Sequence, residues 1–222
     1  MSIKKSLIKI KKLIPSYVTL VAVSKTKQIE DILESYDAGQ RIFGENKIQE
    51  MVDKYDVLPK DIEWHMIGHV QRNKVKYMAD FVSLIHGIDS LKLLKEVNKQ
   101  AIKHSRTIDC LLQIKIAEED SKFGLSAREA KDLLLSEEFK SLNNICITGV
   151  MGMATFTENK NQIKNEFSKL KAIFDSFKDF HTPNCKLQTI SMGMSGDYDL
   201  AIECGSNMIR VGSSIFGERN YN

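Results

Sequence analysis

The stretch KLQTISMGMSGDYDLAIECGSNMIRVGSSIF, residues 186–216, decides the fold. An apolar, β-branched run ends at Met192, a Gly and Ser cluster follows, and residues 198–204 carry a short helical period. A second apolar run begins at Met208. Strand, loop, helix and strand in that order form one βαβ unit, and the unit recurs upstream. Strand-like runs start at Tyr17 (YVTLVAV), Arg41 (RIF), Ile62 (IEWHMI), Phe81 (FVSLIH), Ile108 (IDCLLQIKI) and Ile145 (ICITGVM), which makes eight with the two in the quoted stretch.

Segments with helical spacing separate these runs. Ile29, Ile32, Leu33 and Tyr36 share a face, and Gly39 is placed to stop that helix. Leu91, Leu94, Val97 and Ala101 form a second stripe behind Asp89-Ser90, and Ser126 with Glu129 forms a capping box ahead of Leu133 and Leu134. Ile163, Phe167, Leu170, Phe174 and Phe177 mark a long helix, while residues 47–55 and 71–78 read as weaker ones. Strict alternation with eight strands predicts an α/β protein of one domain, residues 1–222, built as a (β/α)8 TIM-type barrel. A doubly wound open sheet is the alternative architecture. About ten residues follow the last strand, too few for a full helix. The stripe Ile3, Leu7, Ile10 and Ile14 is therefore expected to supply an extra N-terminal helix in that place, with Lys4, Lys5, Lys9, Lys11 and Lys12 on its solvated side.

Composition excludes several classes. With 3 Pro, 12 Gly and no repeat, the chain is neither disordered nor collagen-like, and no stretch approaches the roughly 18–20 apolar residues of a membrane helix. The lysine-studded N-terminus lacks the apolar core of a secretory signal. Four separated cysteines (Cys110, Cys146, Cys185, Cys204) favour reduced thiols and a cytoplasmic setting. A net charge of +3, with Lys and Glu interleaved, gives no reason to expect a nucleic-acid or membrane partner.

In a parallel barrel, reactive groups gather where strands end. The seventh strand ends in Met194-Ser195-Gly196 and the eighth runs through Arg210 into Gly212-Ser213-Ser214. Clusters that allow close backbone approach and offer hydroxyl and N–H donors at these two ends suit a phosphate group. Lys25 follows the apolar run VTLVAVS, where a partly desolvated amine is suited to Schiff-base chemistry; Lys27 is a competing candidate. A Schiff-base lysine opposite a phosphate cradle is the arrangement pyridoxal phosphate needs, with Arg210 facing its ring nitrogen or its phosphate. His65 and His69 lie roughly 13 Å apart on an extended segment, too far to share a metal, and His86 is expected to be packed or hydrogen-bonded. No Ser/His/Asp or Cys/His arrangement, P-loop or GxGxxG is present.

VAVSKTK (21–27), FGENKIQE (43–50), EWHMIGHVQRNK (63–74), EEDSKFG (118–124), GVMGM (149–153) and the stretch 191–217 resemble, in order along nearly the whole chain, the YggS/PROSC family of pyridoxal phosphate homeostasis proteins. Gly87 and Gly196 stand at positions that often differ in that family. The resemblance implies a single-domain relative of the barrel half of alanine racemases, with pyridoxal phosphate held as a Schiff base on Lys25. It also implies phosphate contacts from Met194, Ser195, Gly212 and Ser213, and pocket roles for Asn46 and Arg210. The implied function is intracellular vitamin B6 and amino-acid homeostasis without an established reaction, and the alternative is a racemase- or lyase-type enzyme on small amino acids. Beyond the cofactor, the expected partners are apo-enzymes that accept it, and the chain is expected to act as a monomer.

Overall fold

The computed structural model describes residues 2–118, 123–180 and 182–217, so most of EEDSKFG (119–122) lies outside the described residues. Eight parallel strands close into a barrel in chain order. They are β1 (Thr19–Val23), β2 (Ile42–Glu45), β3 (Glu63–Met66), β4 (Leu84–Ile88), β5 (Ile108–Gln113), β6 (Ile145–Met151), β7 (Cys185–Ser191) and β8 (Met208–Val211). Closure runs through β8 and β1, where Thr19 pairs with Met208 and Val21 with Arg210.

Alternation along each strand sorts side chains between two apolar layers. Val21, Leu84, Leu111, Met151 and Met208 fill the inside of the barrel. Leu20, Ala22, Phe43 and Ile209 point outward into the larger core under the helices. Those helices are α1 (Ile3–Leu13), α2 (Ile29–Asp37), α3 (Ile48–Val57), α4 (Leu91–Lys103), α5 (Ala127–Leu135), α6 (Glu137–Lys140), α7 (Lys160–Ser176), α8 (Tyr198–Glu203) and α9 (Ser213–Phe216). The capping box at Ser126 is formed, with Glu129 accepting from the Ser126 N–H at 2.8 Å. Gly39 ends α2 at φ +86°, a backbone state in which its missing Cβ removes the strain.

Two segments differ from the expectation. Residues 71–78 form a 3-10 turn (Arg72–Tyr77) and not an α-helix, because only Val75 and Met78 turn inward and their spacing of three suits the tighter winding. The run from Phe81 enters the sheet only at Leu84. Arg106 takes the carbonyls of Ala79 (2.9 Å) and Val82 (2.8 Å), so this backbone is satisfied outside the ladder. The one-turn α6 carries no signal that the sequence reading used.

The extra N-terminal helix is present. α1 packs against α2 and α9, burying Leu7 and Ile10 while its five lysines stay exposed. Lys11 Nζ donates to the Gly39 carbonyl at 3.0 Å, tying α1 to the end of α2. α9 is a single turn, so α1 covers the surface that a full eighth helix covers in a longer barrel. Leu7→Ala should cost about 2–5 kcal/mol, as other fully buried leucines do, whereas Lys9→Ala on the solvated side should stay within about 0.5 kcal/mol. Urea unfolding of both variants measures this, and equal small effects would show that α1 is not part of the seal.

Candidate functional site

All seven residues singled out from the sequence, Lys25, Asn46, Met194, Ser195, Arg210, Gly212 and Ser213, line one cavity of about 740 Å³ at the C-terminal ends of the strands. That volume is typical of small-molecule sites, which span roughly 300–1,000 Å³. Val21 and Val23 face into the barrel, and Lys25 is the next residue on that side, half-buried at the cavity wall. Lys27 also borders the cavity, but its ammonium donates to the carbonyls of Phe216 (3.1 Å) and Gly217 (3.3 Å) at the end of α9.

The seventh and eighth strand ends meet as expected. Ser195 Oγ accepts from the Gly212 N–H at 3.1 Å and, more weakly, from the Ser214 N–H at 3.5 Å. Backbone donors from the β8 end thus converge on an oxygen beside the β7 end. Gly193 makes the turn possible: its φ is +98°, and a Cβ there would lie 2.6 Å from the Ala201 Cβ. Asp197 fixes the same turn, accepting from the Met194 N–H at 2.6 Å. Met194 stands at the rim, 37% exposed, and Asn46 is half-buried in the wall from β2.

Arg210 anchors the floor. It is buried inside the barrel, where Nη1 donates to Ser191 O (2.9 Å) and Ser191 Oγ (2.6 Å), and Nη2 donates to Gly152 O (3.1 Å). Burial lowers its pKa to about 10 against the opposing pull of Asp197, so the guanidinium stays charged at neutral pH. Arginine offers donors only, so the Ser191 hydroxyl directs its own hydrogen to His86 Nδ1 at 3.1 Å. His86 Nε2–H then donates to His65 Nδ1 at 3.1 Å, and a polar chain Arg210–Ser191–His86–His65 crosses the barrel interior. His65 therefore pairs with His86. His69 instead stacks on Phe123 at the cavity mouth, with ring centroids 4.3 Å apart and Asp89 Oδ2 3.4 Å from its Nδ1.

Behind the Lys25 turn lies a second polar cluster that the sequence reading missed. Lys54 Nζ contacts Ser24 O (2.8 Å), Glu45 Oε1 (2.7 Å) and Glu50 Oε1 (2.7 Å). Lys54 follows Ile48 and Met51 on the buried side of α3, and a lysine on an inward stripe is the signal that could have found it. Burial raises the Glu45 pKa to about 7 despite Lys54 and Ser24 beside it.

An amine at the end of β1 facing a convergence of N–H and hydroxyl groups fits a ligand that carries both a carbonyl and a phosphate. The floor gives a testable pH dependence. Burial lowers His65 from 6.5 to about 3, and burial, His65 and Arg210 together hold His86 well below 6.5. Both rings are neutral when folded and gain protons on unfolding below about pH 6.5, so their contribution is complete above that pH and is lost as pH falls toward 3. At about pH 5 the loss from His65 should be about 2 kcal/mol, and His86 adds to it in the same direction. Urea unfolding across this range should show a shallower acid decline for His65→Gln; an unchanged slope would contradict the neutral chain.

The alanine racemase N-terminal domain family matches residues 2–220. A pyridoxal phosphate homeostasis protein of Pasteurella multocida is 37% identical over 209 residues, covering 93% of this chain and 88% of its own length. The homologue from Aquifex aeolicus bears the same name and is 37% identical over 203 residues, 91% of this chain and 87% of its own. PipY of Synechococcus elongatus, solved without pyridoxal phosphate, superposes with a TM-score of 0.90 at 31% identity over 97% of this chain and all of that one. PipY with pyridoxal phosphate bound gives 0.87 at 30% identity over 97% of this chain and 100% of PipY. An alanine racemase of Clostridium difficile shares the fold at a TM-score of 0.76 and 12% identity, with this chain spanning 57% of it. With residues 2–220 matched to the alanine racemase N-terminal domain and more than 90% of its length aligned to these homologues, the chain belongs to the pyridoxal phosphate homeostasis protein family.

Proposed function

We propose that this chain, acting as one barrel domain and as a monomer, holds pyridoxal phosphate on Lys25 and serves vitamin B6 and amino-acid homeostasis without a reaction of its own. The observation that carries the reading is the single cavity shared by Lys25 and the donors converging at Ser195 and Gly212. Pyridoxal phosphate supplies an aldehyde that condenses with a primary amine, releasing water, and a phosphate that accepts hydrogen bonds. Lys25 provides the amine from the end of β1. Ser195 and Ser213 would hold the phosphate through their hydroxyls beside the Gly212 backbone, with Met194 at the rim and Asn46 in the wall beside the ring. Arg210, in the cavity floor, would serve the ring nitrogen or the phosphate. At the ring nitrogen, a guanidinium that stays charged would disfavour a second positive charge on the ring and weaken its pull on electrons.

This argues for a holder over a racemase or lyase. Apo-enzymes that accept the cofactor are the proposed partners. Four free cysteines, three of them buried, support a reducing cytoplasm. Among the described residues no helix is long and apolar enough to cross a membrane.

Borohydride reduction of the purified, cofactor-loaded protein followed by peptide mapping should find the label on Lys25. A label on Lys27 would overturn the assignment. Ser195→Ala or Ser213→Ala should weaken cofactor binding roughly ten- to a hundredfold without abolishing the attachment, since a hydrogen bond to a charged group is worth about 1.5–3 kcal/mol. Titration with unphosphorylated pyridoxal should show poor binding that neither substitution changes. Equal affinity for the two ligands would remove the phosphate cradle from the reading.

A further inference from the structure

Both neighbours of Lys25 are held by one buried ammonium. On one side, Ser24 is fully buried, its hydroxyl donates to Glu45 Oε1 at 2.6 Å and its carbonyl accepts from Lys54 Nζ at 2.8 Å. On the other side, the Thr26 N–H donates to Glu50 Oε1 at 2.5 Å. That Glu50 oxygen is in turn 2.7 Å from Lys54 Nζ. Lys54 thus reaches one flank of Lys25 directly and the other through Glu50.

The turn it grips is strained. Thr26 has φ +63°, a region that a β-branched residue occupies only where its surroundings over-determine it. Lys54 and Glu45 are almost without solvent contact, at 6% and 0% side-chain exposure, while Glu50 at 23% closes the cluster at its edge. A buried ion pair is a poor device for stability alone, because desolvation of both charges offsets their attraction. Its attested use is to fix one geometry, and here the geometry it fixes is the backbone on either side of a single lysine.

We propose that Lys54 is a positioning residue for Lys25: by gathering Ser24, Glu45 and Glu50 it holds the β1–α2 turn in the form that sends the Lys25 amine into the cavity. This rests on the reading of Lys25 as the anchoring amine. Glu50 is the second positioning residue, and neither group touches the ligand.

The test compares pyridoxal phosphate with pyridoxine phosphate, which carries the same phosphate but an alcohol in place of the aldehyde. Glu50→Gln exchanges a charge-assisted hydrogen bond for a neutral one and should weaken pyridoxal phosphate binding roughly tenfold, with slower borohydride labelling of Lys25. Its affinity for pyridoxine phosphate should stay within about twofold, because the cradle lies at a separate site. Lys54→Met should show the same split more strongly. Should that variant fail to fold, because Glu45 is left buried without its cation, Glu50→Gln at the cluster's edge still decides. Equal weakening of both probes, or labelling of Lys25 at the unmodified rate, would overturn the positioning role and leave the anchor standing. Absence of label on Lys25 in the unmodified protein would overturn the anchor itself, and the positioning role with it.

Discussion

The pairing of β8 with β1 is the constraint on which the remaining structure depends. Val21 lies opposite Arg210 and Ala22 opposite Val211, so the strand that leads to Lys25 runs beside the strand that leads to Gly212 and Ser213. Groups from the two ends of the chain become neighbours across a ladder of backbone hydrogen bonds. The contact from Lys27 Nζ to the Phe216 carbonyl spans 189 residues and records that closeness at the barrel mouth. Had the sheet stayed open, Lys25 and the groups at Gly212 and Ser213 would lie on opposite edges, and no single small molecule could reach both.

The barrel manages its buried charges in two ways. Arg210 is surrounded by neutral acceptors: a carbonyl from Ser191, a carbonyl from Gly152, and a hydroxyl that passes the polarity on to two uncharged imidazoles. The result is a cation in the floor of the site whose direct acceptors are neutral and whose charge is favoured by Asp197. Lys54 is surrounded by carboxylates and is electrostatically quenched. One charge faces the ligand cavity and the other serves the backbone.

Much of this was legible in the sequence because barrels place chemistry at strand ends, and strand ends are local features. The run VTLVAVS pointed to Lys25 and the Gly and Ser clusters at 193–196 and 212–214 to the opposite wall, and the structure brings them to one cavity. The stripe Ile3, Leu7, Ile10, Ile14 was legible as a helix through its apolar spacing alone. Two things were not legible. The turn at 72–77 has too few inward residues to distinguish one helical winding from another. The polar chain through His65, His86 and Ser191 joins β3, β4 and β7, and no local spacing announces a contact between residues 105 apart. Lys54 was hidden differently: among 32 basic residues, one lysine on an inward stripe looks like its exposed neighbours until Glu45 is placed beside it.

The seal made by α1 also bears on how the protein is made. α1 leaves the ribosome before β1, yet one of the surfaces it covers, α9, emerges after β8. Until then β1 has an unpaired edge and Leu7 and Ile10 lack part of their cover, a state that invites pairing with another nascent chain. Contacts of such long sequence separation also make closure slow. The lysines on the outer side of α1 then have a role in that interval. They keep an incompletely covered amphipathic helix charged and apart from its copies while the last strand is still being synthesised.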